Sequence, residues 1–163
     1  MTTQNENRAQ VFEKVELYLG ELFEDIYHDD ETDHFYVRYG STVLEISVDP
    51  YGPDEVVVMI MSYCVRGVKA DEELLRHLLE LNHGLPFGSF SLVGDEVYFQ
   101  HALFGRTLER PNLLNAVASV STIADEYDDI IAEKFGGERA LDRIRHTGGR
   151  KRRRERTRWG EPN

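Results

Sequence analysis

The segment VVVMIMSYCV, residues 56–65, limits the fold of this chain more than any other stretch. Val56, Val58, Ile60 and Cys64 alternate with Val57, Met59, Met61, Tyr63 and Val65, so a strand here is apolar on both faces. Such a strand belongs inside a sheet, with helices against one face and a cover over the other. Two sources of that cover stay open at this level. Some of the chain's own helices wrap round to it, or a second subunit or bound peptide completes the burial. In the second case Met59 and Met61 give an adaptable contact surface.

The flanking sequence supplies the rest of a sheet and its helices. Between residues 8 and 27, Val11, Val15, Tyr18, Leu22 and Ile26 recur at steps of three or four, with Glu13, Glu16, Glu21 and Glu24 off the stripe, which predicts an amphipathic helix. The run HDDETDH, residues 28–34, reads as a loop, because aspartate competes with the helical backbone for hydrogen bonds. Residues 34–39 and 42–48 alternate as strands around a tight Gly40-Ser41 turn, and DPYGPD, residues 49–54, is turn chemistry before the doubly apolar strand. Tyr36 points away from the Phe35 and Val37 face, as Tyr98 does from Val97 and Phe99, so both join the outer surface as aromatic contacts.

Asp71 caps a second helix with Leu74, Leu75, Leu78, Leu79 and Leu81 on its apolar face, ended by Gly84 and Pro86. Phe90 and Leu92, Gly94-Asp95, then Val97, Phe99 and Leu103 form a second hairpin. Pro111 opens a third helix whose stripe Leu113, Val117, Val120, Ala124, Tyr127, Ile131, Phe135 keeps helical spacing up to Gly136-Gly137. The order α-β-β-β-α-β-β-α predicts an α+β fold with an antiparallel sheet of about five strands and three helices. On this reading residues 1–7 are a flexible N-terminus, residues 8–137 the domain and residues 138–163 a basic, disordered tail.

Charge is divided along the chain. Residues 1–142 carry 10 Lys and Arg against 28 Asp and Glu, a net of −18, whereas residues 143–163 carry 9 against 2, a net of +7. That tail holds two large apolar residues, Ile144 and Trp159, too few to offset the entropy of ordering it. The acidic body repels nucleic acid and anionic lipid. In the tail, Arg150, Lys151, Arg152, Arg153, Arg154, Arg156 and Arg158 suit phosphates, with Trp159 stacking on a base, and suit equally the acidic body of a neighbour or the role of a merely solubilising extension. The longest unbroken apolar run, residues 56–61, is far shorter than the roughly 20 residues that cross a bilayer. The N-terminal MTTQNENRAQ has no signal-peptide core. A single cysteine, Cys64, rules out an internal disulfide and a thiolate metal cage. A cytoplasmic protein without a membrane span is expected.

No motif assembles a reactive centre. His28, Asp29, Asp30, Glu31, Asp33 and His34 are the densest set of metal-ligand types, but lack the glycine and terminal glutamate of a calcium loop. Cys64 with His77, His83 or His101 would need an oriented base and a depressed thiol pKa to act as a nucleophile, and reads instead as a small apolar residue. The serines sit in no G-x-S-x-G context, and Gly84, Gly88 and Gly94 form no phosphate-cradling loop. Asp125, Glu126, Asp128, Asp129 and Glu133 avoid the stripe of the last helix and read as its solvated face. The expectation is a non-enzyme with no cofactor and no metal.

Residues 74–103, LLRHLLELNHGLPFGSFSLVGDEVYFQHAL, run through Leu81-Asn82 into Leu85-Pro86-Phe87-Gly88 and a hairpin, and a later helix closes on Phe135-Gly136-Gly137. This pattern resembles the YbjN family, a branch of the type III secretion chaperone-like fold, over about residues 8–137. The resemblance implies a dimer-prone, chaperone-like or regulatory module that binds a protein or peptide, with no catalytic residues to carry over. Its motifs are packing and turn features, so they bear on fold more than on activity. The basic tail lies outside the family pattern. Tyr36, Met59, Met61, Tyr63 and Tyr98 are the expected partner contacts, and the tail offers a rival role in binding nucleic acid.

Overall fold

The computed structural model describes residues 3–40 and 42–139. Helix α1 (Gln4–Leu22) starts earlier than its apolar stripe because Thr3 and Glu6 form a capping box. The Glu6 amide donates to Thr3 Oγ1 at 3.3 Å, and the Thr3 amide donates to the Glu6 carboxylate at 2.6 Å. The helix also stops short of Tyr27. Phe23 is already extended, its N–H still donating to the Leu19 carbonyl at 2.9 Å, and Ile26–Asp29 forms a short strand, β1. Ile26 suits both readings: it lies one helical turn after Leu22, and it is also an inward position of a strand. Four residues of alternation are too few to override the helical stripe.

Next come β2 (His34–Tyr39), β3 (Thr42–Tyr51), β4 (Glu55–Arg66), α2 (Glu72–Gly84), β5 (Ser89–Val93), β6 (Glu96–Phe104), α3 (Arg110–Phe135) and β7 (Glu138–Arg139). The sheet thus has seven strands where about five were expected. Its order is β1-β2-β3-β4-β6-β5, with β7 also on β4, and every pairing is antiparallel. The two extra strands are β1, in the segment read as helix end and acidic loop, and β7, in the first residues of the expected tail. β7 has no periodicity to read. It forms because Gly136 and Gly137, with φ of 76° and 100°, turn the chain off α3 and lay it along Val65 and Arg66.

The doubly apolar strand is β4, and it lies inside the sheet between β3 and β6. All three helices pack on one side of it. Their buried residues, among them Val11, Val15 and Leu19 of α1, Leu74 and Leu78 of α2, and Leu113, Val117 and Ile131 of α3, join Phe35, Ile46, Ile60, Phe90 and Phe99 in one core. These strand residues share a face by register: Phe35 pairs with Ile46, Ile46 with Ile60, and Phe90 with Phe99. Burying each such side chain stabilises the fold by roughly 1.5–3 kcal/mol. A slip in the β4–β6 register between Tyr63 and Val65 lets Cys64 and Val65 both join the core.

At the β5 border, a side chain takes the place of a further strand. Asn82 of α2 donates its amide to the Phe90 carbonyl at 3.1 Å and accepts from the Phe90 N–H at 2.7 Å. Leaving such backbone groups without partners costs roughly 1–3 kcal/mol each, which gives the Asn82 of the leucine-rich helix a physical role.

Candidate functional site

Side chains alternate along a strand, so the positions that the helices do not cover share the opposite face of the sheet. Tyr36, Met59, Met61, Tyr63 and Tyr98, expected from the sequence to meet a partner, all fall on it. One row crosses six strands in register: Tyr27 faces Tyr36, Tyr36 faces Glu45, Glu45 faces Met61, Met61 faces Gln100 and Gln100 faces Ser89. Ser47, Met59 and Ala102 form the row on one side, and Tyr63, Tyr98 and Ser91 the row on the other. The Tyr27 and Tyr36 rings lie 6.2 Å apart, and those of Tyr63 and Tyr98 meet edge-on at 5.6 Å. Sequence reading missed Tyr27, because it assigned that residue to the first helix, and missed Glu45, whose alternation with Leu44 and Ile46 was the available signal.

No residue of this outer face belongs to the core that the helices share with the sheet. Its centre is nevertheless buried: Ser47 is 1 % exposed and Tyr98 4 %. The polar groups are engaged. Glu45 lies 2.9 Å from His34 Nδ1, Ser47 Oγ donates to the Asp49 carboxylate at 2.7 Å, and Glu96 takes both Arg66 at 3.3 Å and the Tyr98 hydroxyl. By parity Asp29, Glu45, Asp49, Glu55 and Glu96 are on this side, against Arg38 and Arg66. The face is therefore acidic as well as aromatic, with two flexible thioethers at its middle. Such a surface can hold an extended chain through stacking, ion pairs and adaptable packing.

The other candidates resolve into structural roles. His28 packs on Phe12 and Phe35, with its ring nitrogens 3.1 Å from Asp30 and 3.7 Å from Asp33, while Asp33 takes Arg8 at 3.2 Å. His34 points to the other face and Glu45. Among the described residues no three His, Cys, Asp or Glu side chains are grouped to hold a metal ion. Cys64 is fully buried, and burial, followed by the Asp128 carboxylate, pushes its thiol far above the usual range. A thiol held protonated in the core is a packing group. His77 packs on Phe135, and His101 lies on β6 opposite Ile60, its pKa lowered by burial.

One expectation on α3 is overturned. Asp125, Glu126, Asp129 and Glu133 are solvated, but Asp128 is only 8 % exposed. It lies one turn beyond Ala124 on the ridge that packs on the sheet, so the helix carries it inward. Burial raises its carboxyl pKa to about 6, with Asp129 and Asp125 adding to the rise and Arg139 opposing it. The expected tail ligands Arg150, Lys151, Arg152, Arg153, Arg154, Arg156 and Arg158 lie outside the described residues.

The chain has a counterpart among known families. The family described as "T3SS (YopN, CesT) and YbjN peptide-binding chaperone 1" matches residues 9–143. The chain belongs to this family. The resemblance read from Leu81-Asn82, Leu85-Pro86-Phe87-Gly88 and Phe135-Gly136-Gly137 therefore holds, and in this chaperone-family member those residues clamp β5, enter the β5–β6 hairpin and end α3. Among solved structures, the HopA1–SchA chaperone–effector complex contains a chain of similar fold, with a TM-score of 0.55 at 12% identity over 74% of this chain and 96% of that one. No curated protein matches the chain. No helix among the described residues is long and apolar enough to cross a membrane.

Proposed function

We propose that this chaperone-family protein is a non-enzymatic module that holds a protein or peptide against the outer face of its sheet, in a chaperone-like or regulatory role. The observation that carries this reading is the convergence of Tyr36, Met59, Met61, Tyr63 and Tyr98 on one face, opposite all three helices. Membership of a peptide-binding chaperone family supports it. Met61→Glu places a charge in the middle of the six-strand row. Partners retained by the immobilised wild-type chain should bind this variant at least tenfold more weakly, with a similar circular dichroism spectrum. Equal retention by both chains would count against the reading.

We further propose that the protein is a cytoplasmic homodimer joined through α2, whose Leu75 and Leu79 are 45 % and 69 % exposed beside Glu72, Arg76 and His83. Leu79→Glu should then reduce the mass measured by light scattering from two copies to one, and a single-copy mass for the wild type removes the dimer. A second reading, a nucleic-acid-associated regulator, is supported by the +7 charge of residues 143–163. It requires filter binding that weakens with salt and disappears when the seven basic residues of 150–158 become serine. Binding unchanged by those substitutions removes this second reading.

A further inference from the structure

We propose that the partner segment selected by the outer sheet face is an extended chain with arginine at positions i and i+4 and an apolar residue at i+2. This rests on the reading above that the face is a docking surface, and names the chemistry of what docks there. The first observation is the order of side chains along the middle of the face. Glu45, Ser47, Asp49 and Tyr51 follow one another on β3, opposite Met61, Met59, Val57 and Glu55 of β4. Acidic positions thus flank a patch of small and thioether side chains. Met59 continues that patch to the exposed Ala102 of β6, and Val57 leads to Phe104.

The second observation is spacing. Same-face residues of a strand recur every ~6.7 Å, which sets Glu45 and Asp49 ~13 Å apart along β3. A chain laid extended over the seam between β3 and β4 has the same repeat. Its side chains at i, i+2 and i+4 then meet Glu45, Met59 and Asp49 in turn. In a helix, residues four apart are separated by only ~6 Å, so a helical segment cannot match this order.

The third observation is complementarity. Tyr36 is the cross-strand neighbour of Glu45, and Phe104 shares the row of Asp49 and Val57. Phe104 is 56 % exposed, and its ring lies 6.0 Å from that of Tyr51, itself 50 % exposed. A carboxylate beside an aromatic ring suits arginine more than lysine, because the planar guanidinium pairs with the one and stacks on the other. The fold itself uses this pairing: Arg66 lies 3.3 Å from Glu96, which also takes the Tyr98 hydroxyl. Glu45 and Asp49 hold His34 and the Ser47 hydroxyl, and the two oxygens of a carboxylate accept further donors beside such partners. The net charge of −18 on residues 1–142 draws basic segments in general, and the spacing on the face chooses among them.

Three short labelled peptides test this by fluorescence anisotropy with the full-length chain at about 50 mM salt. One sets arginine, leucine and arginine at alternate positions in a serine background. Another has the same composition with its arginines adjacent, and the last carries glutamate in place of arginine. The alternating arginine peptide should bind roughly fivefold tighter than its permuted form, and the glutamate peptide should not bind. Glu45→Gln combined with Asp49→Asn should abolish the preference between the two arginine peptides while circular dichroism stays constant. Glu13→Gln combined with Glu16→Gln, the same change of charge at exposed positions of α1, should leave that preference intact. Equal binding of the two arginine peptides overturns the proposal, as does a preference that the α1 pair abolishes equally, since either result means attraction by net charge alone. Absence of binding by all three peptides overturns it as well. Equal binding that Met61→Glu weakens for both arginine peptides removes only this inference. Binding of the alternating peptide that Met61→Glu leaves unchanged removes the docking-face reading instead.

Discussion

Replacing Gly88 with alanine lowers stability by about 3 kcal/mol and the thermal midpoint by roughly 10 °C. Gly88 has φ of +74°, where an alanine is strained by roughly 1–2 kcal/mol. An added Cβ would also sit 2.5 and 2.8 Å from two carbons of the Phe99 ring and 3.0 Å from the Gln100 carbonyl oxygen. Neither neighbour has room to move. Phe99 is fully buried with its ring centre 4.8 Å from that of Phe90, and Gln100 is part of the β5–β6 ladder. Overpacking of this kind adds roughly 1–3 kcal/mol. Gly94 is the control. Its φ is +63° but nothing lies within 4 Å of an added Cβ, so Gly94→Ala carries the backbone cost alone, about 1 kcal/mol. Thermal melts of the two variants separate strain from crowding, and equal shifts would refute the crowding argument.

Asp128→Asn should stabilise the protein at pH 7 by an amount on the order of 2–3 kcal/mol and flatten its pH dependence. The buried Asp128 carboxyl has its pKa raised from 3.8 to about 6. Its burial comes first among the causes, then the neighbouring carboxylates of Asp129 and Asp125, while Arg139 of β7 pulls the other way. Across the interface Cys64 of β4 faces it as a neutral thiol. Because the folded-state pKa lies above the unfolded one, the folded chain holds the proton more tightly. This group's contribution is full below about pH 4 and is lost as pH rises through about 6. Urea midpoints at pH 4.5 and 7.5 should differ more for the wild type than for Asp128→Asn. A variant no more stable than the wild type at pH 7.5 would show that Asp128 is not desolvated.

The sheet was largely legible because its signals are periodic. The alternation of residues 56–65 places β4 inside a sheet, and turns such as Gly94-Asp95 fix the hairpins, since their glycines occupy positive φ. β1 and β7 were hidden for opposite reasons. Ile26 satisfies a helical and a strand pattern at once, and Glu138-Arg139 is too short for any pattern. For the candidate site, parity alone assigned Tyr36, Met59, Met61, Tyr63 and Tyr98 to a shared face once the registers were known. What parity leaves open is which face the helices choose. That follows from the summed burial of α1, α2 and α3, which no single strand records. Asp128 escaped because one charged residue beside an apolar stripe looks the same in sequence whether its turn faces solvent or sheet.

The Asn82 amide at the β5 border has a consequence for how copies of this protein can grow together. A filament made by strand-to-strand addition needs two adhesive rims per molecule, and here one rim is already occupied at Phe90 by the molecule itself. Lateral growth is therefore hindered at β5 and left to the four residues of β1 at the far rim. Two molecules joined there head to head would each turn the Asn82-clamped strand outward, which disfavours propagation into a fibre.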